Sequence, residues 1–170
     1  HRALKNIANT MAKYCENMRK TGITGVFYAA LGMARTGYFT PEEWAEFCKP
    51  YDLIAMEPVA DLPNMVHTCG IYGNPEWFTE YPCRLIHWAA SAPGNPPMKG
   101  SSSWLKGKIA MGGCDERPFG NDKADVIDEL CKKSILGMKG VPYLMAPECS
   151  VSPKVLDSEL RAFRESVEKY

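Results

Sequence analysis

"NMVHTCGIYG", Asn64 to Gly73, opens with a short apolar run and then sets a histidine and a cysteine two residues apart. "NMVH" reads as a strand and "TCG" as its exit. Four more runs of this kind occur: "GVFYAA" (Gly25 to Ala30), "RLIHWAA", "KIAMGG" (Lys108 to Gly113) and "VPYLMAPEC". Helical patterns separate them. Leu4, Ile7, Met11, Tyr14 and Met18 mark an amphipathic helix ahead of the first strand. In "TPEEWAEFCKPYDLIAMEP", Thr40 caps a helix, Pro41 fits its first position and Glu43 completes a capping box. Pro50 should bend or interrupt the helical pattern beyond it. "EWFTEYP" predicts a helical turn or two and "SSSWLKG" a short helix. Asp122 to Met138 forms a helix with Val126, Ile127, Leu130 and Cys131 on one face. A last amphipathic helix runs through Leu156, Leu160, Phe163 and Val167. Five short strands alternating with helices predict an α/β fold with parallel strands and crossover helices. No repeat and no linker-like stretch divides residues 1–170, so a single domain is expected.

The chain's 170 residues suffice for one sizeable core. Twenty basic and twenty acidic side chains cancel, and no basic run stands out. Such a surface lacks the clustered positive charge that nucleic-acid binding needs. No apolar run approaches the roughly 20 residues of a membrane span. No signal peptide opens the chain, so a cytoplasmic location is expected. The first residue is His1 rather than Met, which suggests a start inside a longer product.

Seven cysteines stand at 15, 48, 69, 83, 114, 131 and 149. Their odd number, without a secretory signal, argues against a disulfide framework. Cys15, Cys48 and Cys131 fall on helical patterns, where a thiol serves as a small buried apolar group. Cys69, Cys114 and Cys149 each follow a strand. In a parallel β/α barrel the active site lies at the carboxyl ends of the strands. His67 and Cys69 fall there after the second strand, His87 at the end of the third, Cys114 after the fourth and Cys149 after the fifth. Cys69 and Cys149 have 79 residues between them, yet strands of one curved sheet can bring them together. Two thiols and an imidazole suit zinc, and three protein ligands leave a position open for chemistry. The alternative is that Cys69 and Cys149 are small buried residues and His67 a hydrogen-bonded core histidine. Spacing leaves both open. Tyr28, Tyr72, Trp88 and Phe119, near strand exits, are candidates to line a substrate pocket. No phosphate-binding glycine loop and no nucleophile elbow occurs.

The ordered series "GITGVFYA … PEEWAEFCKPY … HTCG … RLIHW … GGCD … GVPYLMAPECSVSP … LRAFRESVEKY" resembles the carboxyl-terminal half of the uroporphyrinogen decarboxylase superfamily. The resemblance covers nearly the whole chain. It implies part of a TIM (β/α)8 barrel of about five strands, with the amino-terminal part of the barrel absent. It also implies one of two activities: decarboxylation of a tetrapyrrole in haem biosynthesis, or zinc-dependent methyl transfer with a corrinoid protein. The methyltransferase branch carries H-x-C followed, about 70 to 80 residues later, by another Cys. His67, Cys69 and Cys149 match that pattern and would be its zinc ligands. The decarboxylase branch has a histidine near the last strand exit, where this chain has "APECSVSP". Its arginine-rich segment and its pyrrole-binding aspartate have no counterpart here. The methyltransferase branch is therefore the closer likeness. It implies zinc, a corrinoid carried by a partner protein, and a small-molecule methyl donor or acceptor such as a thiol. His87, Cys114, Glu148 or solvent stand as candidates for the fourth zinc position, and Asp115 for a structural hydrogen bond to a neighbouring loop. Five strands cannot close an eight-stranded barrel, so the missing part or a second copy would have to cover the sheet edges. An inactive structural or binding fragment is the remaining reading.

Overall fold

The computed structural model describes all of residues 1–170. Five strands, β1 (Phe27–Leu31), β2 (Met65–Thr68), β3 (Leu85–Trp88), β4 (Ile109–Cys114) and β5 (Tyr143–Pro147), form one sheet in sequence order. Every neighbouring pair is parallel. Helix α1 (Arg2–Arg19) precedes β1. Helices α2 (Pro41–Phe47) and α3 (Lys49–Met56) follow it, α4 (Ala124–Gly137) joins β4 to β5, and α5 (Asp157–Lys169) ends the chain. The β2–β3 and β3–β4 crossovers hold only short 3-10 turns, at Pro75–Phe78 and Ser101–Ser103. The α/β alternation expected from the sequence is present.

Local chemistry accounts for the boundaries. Thr40 Oγ1 accepts from Glu43 N at 3.2 Å, while Thr40 N donates to Glu43 Oε2 at 2.8 Å. Both ends of this box relieve backbone N–H groups that α2 cannot satisfy internally. Pro50 lacks an N–H and separates α2 from α3 at Cys48.

Register then sorts the two faces. Tyr28, Val66, Ile86, Ala110 and Tyr143 stand in one row across the sheet. That row faces the helices, and Val66 and Ile86 are completely buried in the main core with Trp44, Phe78, Tyr81 and Trp88. Each such aliphatic side chain contributes about 1.5–3 kcal/mol of burial. The next row, one residue along, contains Ala29, His67, His87 and Met111 and belongs to the opposite face. Side-chain alternation along a strand thus puts the apolar row against the helices and two histidines on the face away from them.

Asn64, fully buried, ties the amino ends of three strands together. Its Oδ1 accepts from Val26 N at 2.9 Å, and its Nδ2 donates to Val59 O at 2.7 Å and Pro82 O at 3.1 Å. The site-bearing carboxyl ends therefore project from a pinned base.

Two expectations are corrected. The stripe of α5 meets the core only through Phe163, which packs on Phe119: Leu156, Leu160 and Val167 are exposed, and Glu159 and Ser166 are buried. Glu159 accepts four backbone N–H groups, from Gly120, Asn121, Lys123 and Leu156, at 2.8–3.2 Å. On α1, Ala8 and Cys15 are buried whereas Ile7, Met11 and Tyr14 remain exposed beside the edge strand β1. They border an apolar groove of about 520 Å³.

Candidate metal centre

His67 and Cys69 are two residues apart, so an extended chain turns both toward one face of the sheet. Gly70 then adopts φ +77°, a left-handed turn that leads the chain away from the sheet. Cys149 arrives from the exit of β5, where Glu148 N donates to Cys114 O at 2.9 Å and prolongs the β4–β5 pairing. Cys69 Sγ lies 3.7 Å from Cys149 Sγ, and Cys149 Sγ lies 4.0 Å from His67 Nε2. All three donor atoms fall within 4.8 Å of one another. They open into a cavity of about 360 Å³ bordered by Phe27, Leu31, Met111 and Pro147.

The donors suit zinc in type and spacing. Two thiolates about 2.3 Å from a tetrahedral zinc ion lie ~3.8 Å apart, and a thiolate and an imidazole nitrogen ~3.6 Å. The observed separations match the first and slightly exceed the second. Burial, followed by the neighbouring His87, pulls the His67 pKa down to about 4, so its ring is neutral at pH 7 and offers a lone pair. Burial raises the Cys69 thiol, and the contact with Cys149 and the Glu116 carboxylate raise it further, while Arg35 opposes them. A cation between the sulfurs would reverse that preference.

His87 packs against His67, with ring centroids 4.6 Å apart, and Phe27 stacks over His67 at 5.6 Å. A carbonyl can only accept, so the 2.8 Å contact of His87 Nε2 with Pro147 O requires the proton on Nε2. That bond ties β3 to the strand exit that carries Cys149. His87 is not among the three clustered donors, and its Nε2 is already engaged.

Cys114 does not reach the site, which corrects its place among the candidate ligands. It is fully buried on the helix side with Phe119, Ile127 and Cys131, its Sγ 3.6 Å from Cys131 Sγ. The hydrogen bond to Cys131 and then burial raise its pKa. Glu148 is a buried carboxylate and is not among the three clustered donors. Its Oε2 accepts from Ser91 N at 2.9 Å and Ser91 Oγ at 2.5 Å, joining the exits of β5 and β3. At Gly112, beside this crossing, a Cβ would meet Trp88 O at a tight 3.0 Å and Glu148 Cγ at an ordinary 3.8 Å. Asp115 bonds within its own loop, to Arg117, instead of to a neighbouring one.

Of the aromatic residues expected at a pocket, Tyr28 and Trp88 face the helices. Tyr28 donates to Asp52 and Trp88 to Pro96 O. Phe119 is buried in the second core cluster, and Tyr72 is half exposed on a loop. Phe27 and Met111 line the cavity in their place. Strand register identifies both, since each shares the histidine face or borders it.

No helix is long and apolar enough to cross a membrane. Comparison with curated proteins finds no significant match. Among solved structures, a methyltransferase from Methanosarcina mazei superposes with a TM-score of 0.76 at 14% identity, over 95% of this chain and 47% of that one. A B12-independent methionine synthase from Shewanella sp. W3-18-1, in complex with selenomethionine, gives 0.67 at 15% identity, over 96% of this chain and 53% of that one. The chain thus spans about half the length of each. These likenesses identify the five-stranded sheet as part of a TIM barrel. The uroporphyrinogen decarboxylase family model matches residues 1–170 throughout, and the chain belongs to that family.

Proposed function

We propose that this chain is the metal-bearing part of a zinc-dependent methyltransferase whose methyl acceptor is a thiol. The observation that carries the reading is the convergence of His67, Cys69 and Cys149 at two strand exits. These three residues would hold the ion, with one position left for substrate. Bound there, zinc supplies a Lewis acid that favours the thiolate form of a substrate thiol near neutral pH.

The chain's own residues set the conditions. His67 stays neutral and available because burial disfavours its cation. His87, through Pro147 O, fixes the strand exit before Cys149. Phe27 and Met111 give the cavity apolar walls that limit water around a reactive sulfur. Glu148 locks the β5 exit to the β3 exit through Ser91.

The methyl donor in this reading is a corrinoid held by a partner protein, a proposal that rests on the sequence resemblance. The 170 residues constitute one domain, with the remaining barrel strands supplied from elsewhere. Tetrapyrrole decarboxylation, the activity in the family's name, gives the clustered thiols no task.

Elemental analysis of chain purified without chelator, native and Cys149→Ala, tests the proposal. About one zinc per native chain, lost in the variant, is expected for a three-ligand site. Absence of zinc from the native chain, or its retention in Cys149→Ala, overturns the metal assignment. Thiol-dependent demethylation of methylcobalamin by zinc-loaded protein then tests the donor.

A further inference from the structure

Two pairs of cysteines stand with their sulfurs in contact. Cys69 and Cys149 form the first and belong to the candidate metal centre. Cys114 and Cys131 form the second, 3.6 Å apart, and nothing described so far gives them a task. Both are completely shielded from solvent beside Phe119 and Ile127, and no third donor completes a metal site around them.

The backbone builds this contact. Cys114 ends β4 and Cys131 lies midway along α4, so strand and helix must approach closely for the sulfurs to touch. Gly113 permits that approach: a Cβ there would collide with Ser134 Oγ and stand 3.3 Å from Ser134 Cβ, one turn beyond Cys131. The contact with Cys114 also holds the Cys131 thiol below its usual value, against the opposing effect of burial, which makes Cys131 the nucleophile of the pair.

A disulfide brings its sulfurs to about 2.05 Å, so closure needs ~1.6 Å of movement. Helix α4 is braced by its own hydrogen bonds. Gly112 and Gly113, at φ +135° and +96°, leave the β4 exit free of Cβ restraint, so the movement falls on Cys114. Its carbonyl accepts from Glu148 N at 2.9 Å, and Glu148 precedes Cys149. Drawing Cys114 toward α4 takes that carbonyl out of the sheet and lengthens the bond.

We propose that Cys114 and Cys131 form a redox switch: a small hydroperoxide oxidises them to a disulfide that draws the β4 exit onto α4 and loosens the β5 exit before Cys149. The Cys131 thiolate attacks one peroxide oxygen, the O–O bond breaks, and Cys131 becomes a sulfenic acid as the other oxygen leaves as water. Cys114 then attacks the sulfenic sulfur, the S–S bond forms, and its thiol proton leaves with the hydroxyl as a second water. A dithiol reverses the change by exchange. Neither sulfur belongs to the candidate metal centre, so the switch holds whether or not zinc binds there.

The test treats the native chain with hydrogen peroxide, alkylates it in urea, digests it with trypsin and maps the peptides by mass spectrometry. A bridge joining residues 109–123 to residues 124–132, removed by dithiothreitol, is expected. Cys149→Ala, which cannot form the Cys69–Cys149 bridge, should show the same bridge. In that variant the Glu148 amide should exchange hydrogen about 10-fold faster after oxidation than before. Cys131→Ser should show neither effect. Recovery of Cys114 and Cys131 as free thiols after peroxide has oxidised Cys69 and Cys149, or of Cys131 as a sulfinic acid, overturns the pairing. A bridge that leaves exchange at Glu148 unchanged overturns the switch.

Discussion

Replacing Glu148 with alanine should damage both the fold and the proposed metal centre, and replacing it with glutamine should damage neither much. The carboxylate is 3% exposed and accepts two hydrogen bonds, from Ser91 N and Ser91 Oγ. Hydrogen bonds to a charged acceptor contribute about 1.5–3 kcal/mol each, which caps the loss at roughly 6 kcal/mol. Part returns, because burial already raises the Glu148 pKa and alanine removes that desolvation cost. The expected net loss is about 2–4 kcal/mol, read from urea unfolding at constant m-value. Cys149 is the next residue along the chain, so loosening the β5 exit should also weaken zinc about 10- to 100-fold in a chelator competition. Glutamine keeps an acceptor for Ser91 and needs no ionic desolvation, so Glu148→Gln should fall within about 1 kcal/mol of the native chain. Unchanged stability and metal affinity in Glu148→Ala would refute the view that this crossing holds the site together. Equal damage by both variants would refute the part assigned to the Ser91 bonds.

Asp52 is buried and accepts from Tyr28 OH at 2.5 Å and Tyr81 OH at 2.8 Å, and burial outweighs both bonds in raising its pKa. A carboxyl raised in the folded state holds its proton to higher pH than in the unfolded chain. Its stabilising contribution is therefore complete below the unfolded value of about 3.9 and declines as pH rises through the folded one. Asp52→Asn should remove that decline, seen as a smaller difference between urea midpoints at about pH 5 and about pH 8. Cys114→Ala should leave metal content unchanged and cost about 1–2 kcal/mol from the cavity it opens beside Ile127 and Phe119. Gly112→Ala forces a side chain into φ +135° with its Cβ 3.0 Å from Trp88 O. It should cost about 1–3 kcal/mol, measured by thermal or urea unfolding.

Much of this architecture is legible in the sequence because its signals are local. The Thr40–Glu43 box depends on neighbours within a few residues and stands where the pattern puts it, whereas the break falls at Cys48, ahead of Pro50, and α3 continues unbroken beyond that proline. The alternation of short apolar runs with helices gives the parallel order for the same reason. The site is legible down to His67 and Cys69, because a two-residue spacing keeps them on one face of the sheet. Cys114 misleads because it follows a strand as Cys69 does, yet it shares its parity with Ala110, on the helix side. Counting parity from Ala110 would have placed it there. The stripe on α5 misleads for another reason. An apolar period marks Leu160 and Val167, but the buried position goes to Glu159, whose four backbone partners lie more than thirty residues away or at the helix start. The Glu148–Ser91 crossing carries no sequence signal, since it acquires its meaning from loops that meet only in space.

The carboxylate of Glu159 gives helix α5 authority over the loop after β4, whose Glu116 acts on Cys69 through its charge. It gathers the N–H groups of Gly120, Asn121 and Lys123, and so moors the loop on which Asp115 and Glu116 stand. Helix α5 contributes no residue to the thiol cluster. Shortening the chain ahead of Glu159 would nonetheless release that loop and free its charges to wander. A tail of this kind acts as a keel: its loss would be felt first in the loop it steadies.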